Sequence, residues 1–322
     1  MRRRLRWLVP IAALTVLGAF SRNALTTNGG STSFEAAYLN EGYGSKSPLL
    51  LTLFPLDGAA YAVRLPPGLP GDFNLVAFGP DGKAIYGQPI TPRPQDGITK
   101  IEFNPPRQST VPGTVGLGLI WHLAVSQESG RVLAAGWSKK IGSAECGTFE
   151  IDPATGGFRI LRAGVFPGCG GGGGPVSSDG RHGLTYSGKK LGLIDLETGA
   201  VQDITGIDAG AWSVGGTWLS NCTWSPDGRW IAAIRDGRIL LIDALDLSHR
   251  VGRGAADRGN ISWSPDSKLL LLSKSQFSCG LTLYSSSLEI VYVETGKRKI
   301  ISSSHCQVAV PNIGWLNAPA IR

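Results

Sequence analysis

Apolar residues along this chain fall in short runs, cut at near-regular intervals by Gly, Pro, Asp and Ser. That is the pattern of many short strands joined by tight turns. One phrase recurs at the cuts: an apolar or aromatic residue, then Ser-Pro-Asp-Gly or a worn copy of it, then an apolar run. It reads Phe78-Gly-Pro-Asp-Gly82, Val176-Ser-Ser-Asp-Gly180, Trp224-Ser-Pro-Asp-Gly228 and Trp263-Ser-Pro-Asp-Ser267, with fainter copies at Val125-Ser126 and Trp315-Leu-Asn-Ala-Pro319. The leading residues stand 39 to 52 positions apart, and a period of roughly 40–50 residues marks a radially repeated β architecture. Within the phrase, Pro presets φ, Asp bonds nearby backbone and Gly accepts a positive φ. The leading Trp or Phe is an apolar wedge, expected to pack between neighbouring sheets.

A second set of turns interleaves with the first. Apolar runs break at Leu53-Phe-Pro-Leu-Asp-Gly58, Ile101-Glu-Phe-Asn-Pro-Pro106, Phe149-Glu-Ile-Asp-Pro-Ala-Thr-Gly156, Leu193-Ile-Asp-Leu-Glu-Thr-Gly199, Leu241-Ile-Asp-Ala244 and Val291-Tyr-Val-Glu-Thr-Gly296. These read as outer hairpins, third strand to fourth. The two sets are out of phase by one: an outer hairpin comes first and an inner phrase comes last. A circle resolves the mismatch. Residues 34–66 supply three outer strands of a blade whose innermost strand is 312–316, which removes the edges a linear array would expose. The fold class is therefore all-β: a six-bladed β-propeller of four-stranded antiparallel blades, closed by N-terminal strands on the C-terminal strand. The sequential blades are expected near 74–112, 119–165, 173–207, 218–252 and 259–303. Seven blades would need one more repeat than the chain contains, and a two-sheet sandwich would not produce the period.

The stretch Trp224-Ser-Pro-Asp-Gly-Arg-Trp-Ile-Ala232 followed by Ile239-Leu-Leu-Ile-Asp243 resembles the WD40-like "PD" repeat. That repeat belongs to the propeller of the Tol-Pal translocation protein (TolB-like propellers) and to the propellers of prolyl oligopeptidase-type enzymes. Residues 263–293 make a second good copy. The resemblance implies the fold and no particular activity. Prolyl oligopeptidases carry a separate hydrolase domain, and this sequence contains no G-x-S-x-G elbow.

The N-terminus reads Met1-Arg-Arg-Arg-Leu-Arg6 followed by apolar residues from Trp7 to Phe20. That stretch suits a signal peptide and is short for a membrane span. The expected organisation is a signal peptide over 1–21 cut after Ser21, a linker over 22–33 and one propeller domain over 34–322. The protein is then exported, to the periplasm or the extracellular space, with an uncleaved leader as the sole route to membrane attachment. The formal charge of +7 includes four leader arginines with no acid among them, so the remainder carries +3. That is too little to attract nucleic acid. The 45 glycines fit a chain of tight turns.

Five cysteines are present. On the blade map, Cys146 falls between the second and third strands of one blade and Cys169 in the loop leaving it. Cys279 and Cys306 take the same two places three blades later. Both loop types emerge on one face, so disulfides Cys146–Cys169 and Cys279–Cys306 are expected in an exported protein. Five reduced, buried cysteines are the alternative. Cys222 is left over at the start of an inner strand, and the spacing suits no zinc site.

Three residues before the leading aromatic, the last three blades place Asn221, Asn260 and Asn312; the same offset from Val125 gives His122. Inner strands start at the loop-bearing mouth of the central channel. Four polar groups there could hold a small ligand, although Asn also suits any loop-to-strand junction. No carboxylate recurs at this offset, which argues against a calcium-dependent lactonase-type enzyme. The recurring Asp81, Asp179, Asp227 and Asp266 are explained by turn chemistry. The glycine run 168–175 lacks the Lys-Ser/Thr of a phosphate loop and reads as a blade-to-blade loop. Ser273–Ser287 is the longest second-to-third-strand excursion, either a contact surface or an extended hairpin. With no catalytic constellation in view, the expectation is a monomeric, non-catalytic interaction module that binds a protein through its loop-bearing face and uses no metal or cofactor. The alternative is a small-ligand binder or hydrolase/lactonase-type enzyme at the channel mouth.

Overall fold

The computed structural model describes residues 34–40, 50–56, 61–64, 73–79, 81–89, 96–103, 105–126, 128–138, 146–163, 176–187, 190–208, 222–235, 238–252, 260–277, 284–307 and 312–317. Contacts divide the chain into residues 1–32 and 33–322, and the described residues belong to the second unit. The leader and the linker lie outside them.

Every regular element among the described residues is a strand. The first three are β1 (Phe34–Asn40), β2 (Leu50–Phe54) and β3 (Tyr61–Arg64). The next sheet runs β4 (Phe73–Phe78), β5 (Ala84–Pro89), β6 (Thr99–Phe103) and β7 (Pro106–Thr110). It is followed by β8 (Leu117–Val125), β9 (Val132–Ser138), β10 (Cys146–Ile151) and β11 (Phe158–Ala163). The third consists of β12 (His182–Ser187), β13 (Lys190–Asp195) and β14 (Val201–Asp208), and its inner position is held by Val176 through a single bridge to Gly183. The fourth is β15 (Cys222–Trp224), β16 (Trp230–Arg235), β17 (Arg238–Asp243) and β18 (His249–Val251). The fifth is β19 (Ile261–Trp263), β20 (Leu269–Phe277), β21 (Tyr284–Tyr292) and β22 (Arg298–Gln307). The last strand, β23 (Asn312–Asn317), pairs antiparallel with β1, from Phe34↔Asn317 to Leu39↔Asn312, and completes a sixth sheet in the order β23-β1-β2-β3. These are the six blades of a propeller, closed by the two ends of the domain as the phase mismatch in the sequence requires.

The inner turns follow from their residues. Ser225 Oγ donates to Asp227 Oδ1 at 2.5 Å and accepts from Trp230 N–H at 2.8 Å, while Asp227 Oδ1 also accepts from Arg229 N–H at 3.1 Å. Ser177 with Asp179, and Ser264 with Asp266, repeat the set. Gly82, Gly180 and Gly228 adopt φ of 64°, 72° and 71° at the end of the turn. Ser267 takes that position in the fifth blade at φ 60°, a conformation a side chain disfavours. Its hydroxyl accepts from Asp227 N–H in the neighbouring blade at 3.1 Å. Likewise Ser178, which replaces the proline of the phrase, donates to Pro226 O at 2.9 Å.

Both faces of each blade are buried, so strand residues alternate between two neighbours. In β16 and β17, Ile231, Ala233, Leu240 and Ile242 pack toward the third blade, while Ala232, Ile239 and Leu241 pack toward the fifth. Trp224, Trp263 and Trp315 are buried in successive interfaces, as expected of wedges. Trp263 Nε1 donates to Thr223 O at 3.1 Å and Trp315 Nε1 to Ser262 O at 3.3 Å, so each indole is pinned to the inner strand of the preceding blade. At the closing interface Phe78 stands against Gly314. A Cβ on Gly314 would lie 1.9 Å from Phe78 Cδ2, and the ring cannot retreat by its flexible end because Cγ itself would be at 2.4 Å.

Gly314→Ala should therefore destabilise the domain by about 2–3 kcal/mol through overpacking. Gly314→Ala combined with Phe78→Ala should recover part of that loss, measured as denaturant midpoints. Equal loss in the single and double variants would show that this contact does not limit closure.

Candidate functional site

The inner strands β15, β19, β23, β4 and β8 contact one another in that order and surround the axis. The four residues picked out by offset fall as follows. Asn260 immediately precedes β19, and its carbonyl accepts from Ser273 N–H at 2.9 Å. Asn312 opens β23 opposite Leu39. Asn221 lies outside the described residues. His122 is not at a strand start but inside β8, which extends five residues beyond it toward the loop-bearing end.

His122 sits beside an irregular stretch of ladder. The β8/β9 register shifts between Leu117 and Ile120 and again between Ile120 and His122, so Trp121 is an extra, bulged residue. The bulge is held by a residue the sequence did not flag. Gln88, fully buried on β5, donates from Nε2 to Gly118 O at 2.9 Å and accepts at Oε1 from Ile120 N–H at 2.9 Å. One side-chain amide thus satisfies two backbone groups of the neighbouring blade. A register shift also falls between Phe73 and Leu75 in β4, so two adjacent inner strands are irregular at their loop-bearing ends.

Among the described residues few polar groups are left for chemistry. The buried Glu150 carboxylate meets Arg131 at 2.9 Å and also Arg159. Asp243 meets Arg229 at 3.3 Å and Glu289 meets Arg298 at 3.5 Å. These acids sit on third strands and tie neighbouring strands of their own sheet together. The turn aspartates are consumed by backbone N–H groups, as expected from the sequence. His122 Nε2 and Ser273 Oγ are buried with no hydrogen-bond partner. Burial pushes the His122 imidazole down to about 4, so it is neutral near pH 7. Burial pushes the free Cys222 thiol up, which leaves it inert as a nucleophile. Among the described residues no three His, Cys, Asp or Glu side chains converge on a metal position.

Cys146 opens β10, buried and disulfide-bonded; Cys169 and Cys279 lie outside the described residues. β22 runs on through Cys306 to Gln307, so that cysteine lies in the fourth strand and not in the loop beyond it. The Ser273–Ser287 excursion resolves as an extended hairpin: β20 and β21 pair without a shift from Leu269↔Tyr292 to Phe277↔Tyr284, and β22 follows them upward. Apolar residues also surface at the loop-bearing end of the second blade. Val115, Leu119 and Trp137 are 51%, 38% and 37% exposed. The backbone of Gly118 runs against Trp137, so Leu119 adjoins Trp137 across the β8/β9 ladder, and Val115 lies two residues before β8.

No family model matches this chain, and no curated protein matches it. Its fold is similar to TolB from Acinetobacter baumannii, with a TM-score of 0.61 at 15% identity over 89% of this chain and 67% of that one. A putative TolB from Agrobacterium tumefaciens gives 0.55 at 12% identity over 88% and 98%. A chain of a nidogen/laminin complex gives 0.59 at 10% identity over 88% and 99%. The likeness is one of fold: a TolB-like six-bladed propeller.

A His with a depressed folded value disfavours the acid side. Between about 6.5 and about 4 the unfolded chain binds a proton that the folded chain refuses, so stability falls as pH falls through that window. The span corresponds to a few kcal/mol at most. His122→Asn, which installs the residue found at this offset in three other blades, should flatten that part of the stability–pH curve. Parallel curves for wild type and variant between pH 4 and 7 would show that His122 does not titrate in this way.

Proposed function

We propose that this chain is an exported, non-catalytic TolB-like propeller that docks a protein partner on its loop-bearing face. The observation that carries the reading is the exposed apolar group Val115, Leu119 and Trp137 at that end of the second blade. The other exposed large apolar residues that are described lie on outer strands and an outer turn: Ile160, Val201, Leu245, Val251 and Ile300. Apolar surface gathered beside loops and bounded by polar residues is what association buries. The similar fold in a nidogen/laminin complex shows a propeller of this kind in a protein assembly. Export rests on the basic-then-apolar leader, 1–21, and the disulfides Cys146–Cys169 and Cys279–Cys306 would brace the same face.

Captured partners from envelope extract should bind mature protein (residues 22–322) and be lost, by about tenfold or more in affinity, on Leu119→Ser with Trp137→Ser, given the weight of buried aromatics in interfaces. Unchanged binding by that variant would overturn the assignment of this face.

A second reading uses the channel. The unpartnered His122 Nε2 favours a small uncharged ligand hydrogen-bonded there, with Asn221, Asn260 and Asn312 standing at the same offset in the repeat. A metabolite that raises the melting temperature of wild type but not of His122→Asn would support it; one that raises both equally would remove the mouth from consideration.

A further inference from the structure

The exposed Trp137 and the unpartnered His122 lie on one face of the second blade. Along β9, Val132 and Ala134 pack toward the first blade and Leu133 toward the third. Strand residues alternate between faces, so Ala135 and Trp137 share the side of Leu133. His122 pairs with Ala135, and Ala124 with Leu133. Directly opposed residues stand on one face, so His122 points toward the third blade, as Ala124 does. On the third blade Gly183 opposes Ile194, which packs toward the second blade, and Thr185 follows Gly183 on that same side.

The seam between these two blades changes character as it rises toward the loop-bearing end. At its base, Ala124 and Leu133 meet Val176, Ile194 and Leu196 in an apolar layer. Two residues up stand Ala135, His122 and the buried Thr185. Two residues further along β9, Trp137 is 37% exposed, with Leu119 beside it. His122 keeps partial exposure as a residue, while its Nε2 is shut off from solvent and has no partner. Residues 170–174, which lead into Val176, are all glycine and bring no side chain that could serve it. A buried polar atom without a hydrogen bond is destabilising, and a bound group relieves it.

We infer that this seam takes a tyrosine side chain of the protein partner, its ring against Trp137 and Leu119 and its hydroxyl donating to His122 Nε2. The inference rests on the loop-face reading above and names the group that docks there. The upper level calls for an apolar body, and an aromatic ring suits a tryptophan neighbour. The middle level calls for a neutral tip that hydrogen-bonds. Burial keeps the imidazole uncharged, and neither it, Ala135 nor Thr185 offers a countercharge to an ionised tip. The two levels are about 7 Å apart along the strand, beyond the reach of serine or threonine. Phenylalanine would fill the upper level and leave Nε2 unpaired.

The test uses mature protein with isotope-labelled histidine and tryptophan, and two probes of one shape. These are p-cresol, which is the tyrosine side chain, and toluene, which lacks the hydroxyl. p-Cresol should bind saturably, shift the His122 Nε2 and Trp137 resonances, and bind about tenfold tighter than toluene. His122→Leu should remove that preference; should this variant not fold, the two probes on wild type decide alone. Saturating p-cresol should also displace partners captured from envelope extract. The inference is overturned if p-cresol does not bind, binds no tighter than toluene, or leaves His122 Nε2 unmoved. Capture lost on Leu119→Ser with Trp137→Ser but undisturbed by p-cresol would remove the seam and keep the loop-face reading. Capture unchanged by that double variant would remove the loop-face reading, and this inference with it, whatever p-cresol does.

Discussion

The pairing of β1 with β23 is the contact on which the other interfaces depend. Each blade is apolar on both faces, so each needs a neighbour on either side, and only a closed ring supplies one to every blade. Were the two ends unpaired, β23 would lose its place beside the fifth blade, where Ile313 and Trp315 pack against Leu269, Leu271 and Ile290. Phe78 would also lose the glycine surface that admits it between the last blade and the first. The closure is made by backbone hydrogen bonds, and its tightness is set by the absence of a single Cβ at Gly314.

Against that frame the irregular copies of the repeat make physical sense. The blades were legible because Ser-Pro-Asp-Gly encodes a turn locally, through bonds within a few residues. Ser178 in place of proline and Ser267 in place of glycine look like decay when read as turns. In the fold each hydroxyl bonds to the turn of the adjacent blade, at Pro226 O and at Asp227 N–H. Ser267 accepts an unfavourable φ in the exchange. A contact between positions 40 or 48 residues apart leaves no local trace, so sequence reading registers only the loss of the turn residue.

The same distinction separates what was readable at the candidate site from what was not. The offset of His122 from Val125 was readable because it is counted from the repeat, but the strand start expected there is absent: β8 begins five residues earlier. The bulge at Trp121 was not, because it depends on Gln88, which sits in another blade and belongs to no motif. The upper half of β20 was legible only as one of two readings of Ser273–Ser287, an extended hairpin or a contact surface. The apolar run Leu269–Leu272 stops at Ser273, so the pattern that identifies a buried strand ends there, while backbone pairing continues to Phe277. Strand pairing needs no apolar side chain once a neighbour holds the register. The buried acids were passed over for a related reason: their arginine partners lie on neighbouring strands of the same sheet, at separations with no fixed sequence spacing.

The distribution of these departures bears on function. A ring of equivalent blades offers six similar surfaces at either end, and nothing in the repeat prefers one of them. At the turn-bearing end, variation is absorbed within the turns, by hydroxyls bonding across blades. At the loop-bearing end the template is exceeded. β8 runs past the level of its fellows through two register shifts, Val115, Leu119 and Trp137 reach solvent, and Cys146 is covalently tied. Three blades further on, β20, β21 and β22 continue beyond the inner strands. In a six-membered ring, blades three apart stand on opposite sides of the axis. The apolar group and the extended β20–β22 strands therefore lie on opposite sides of one mouth, with His122 on an inner strand of the first. Burying apolar groups is what stability asks of a propeller; the apolar residues left exposed at the loop-bearing end are the feature on which the proposed docking face rests.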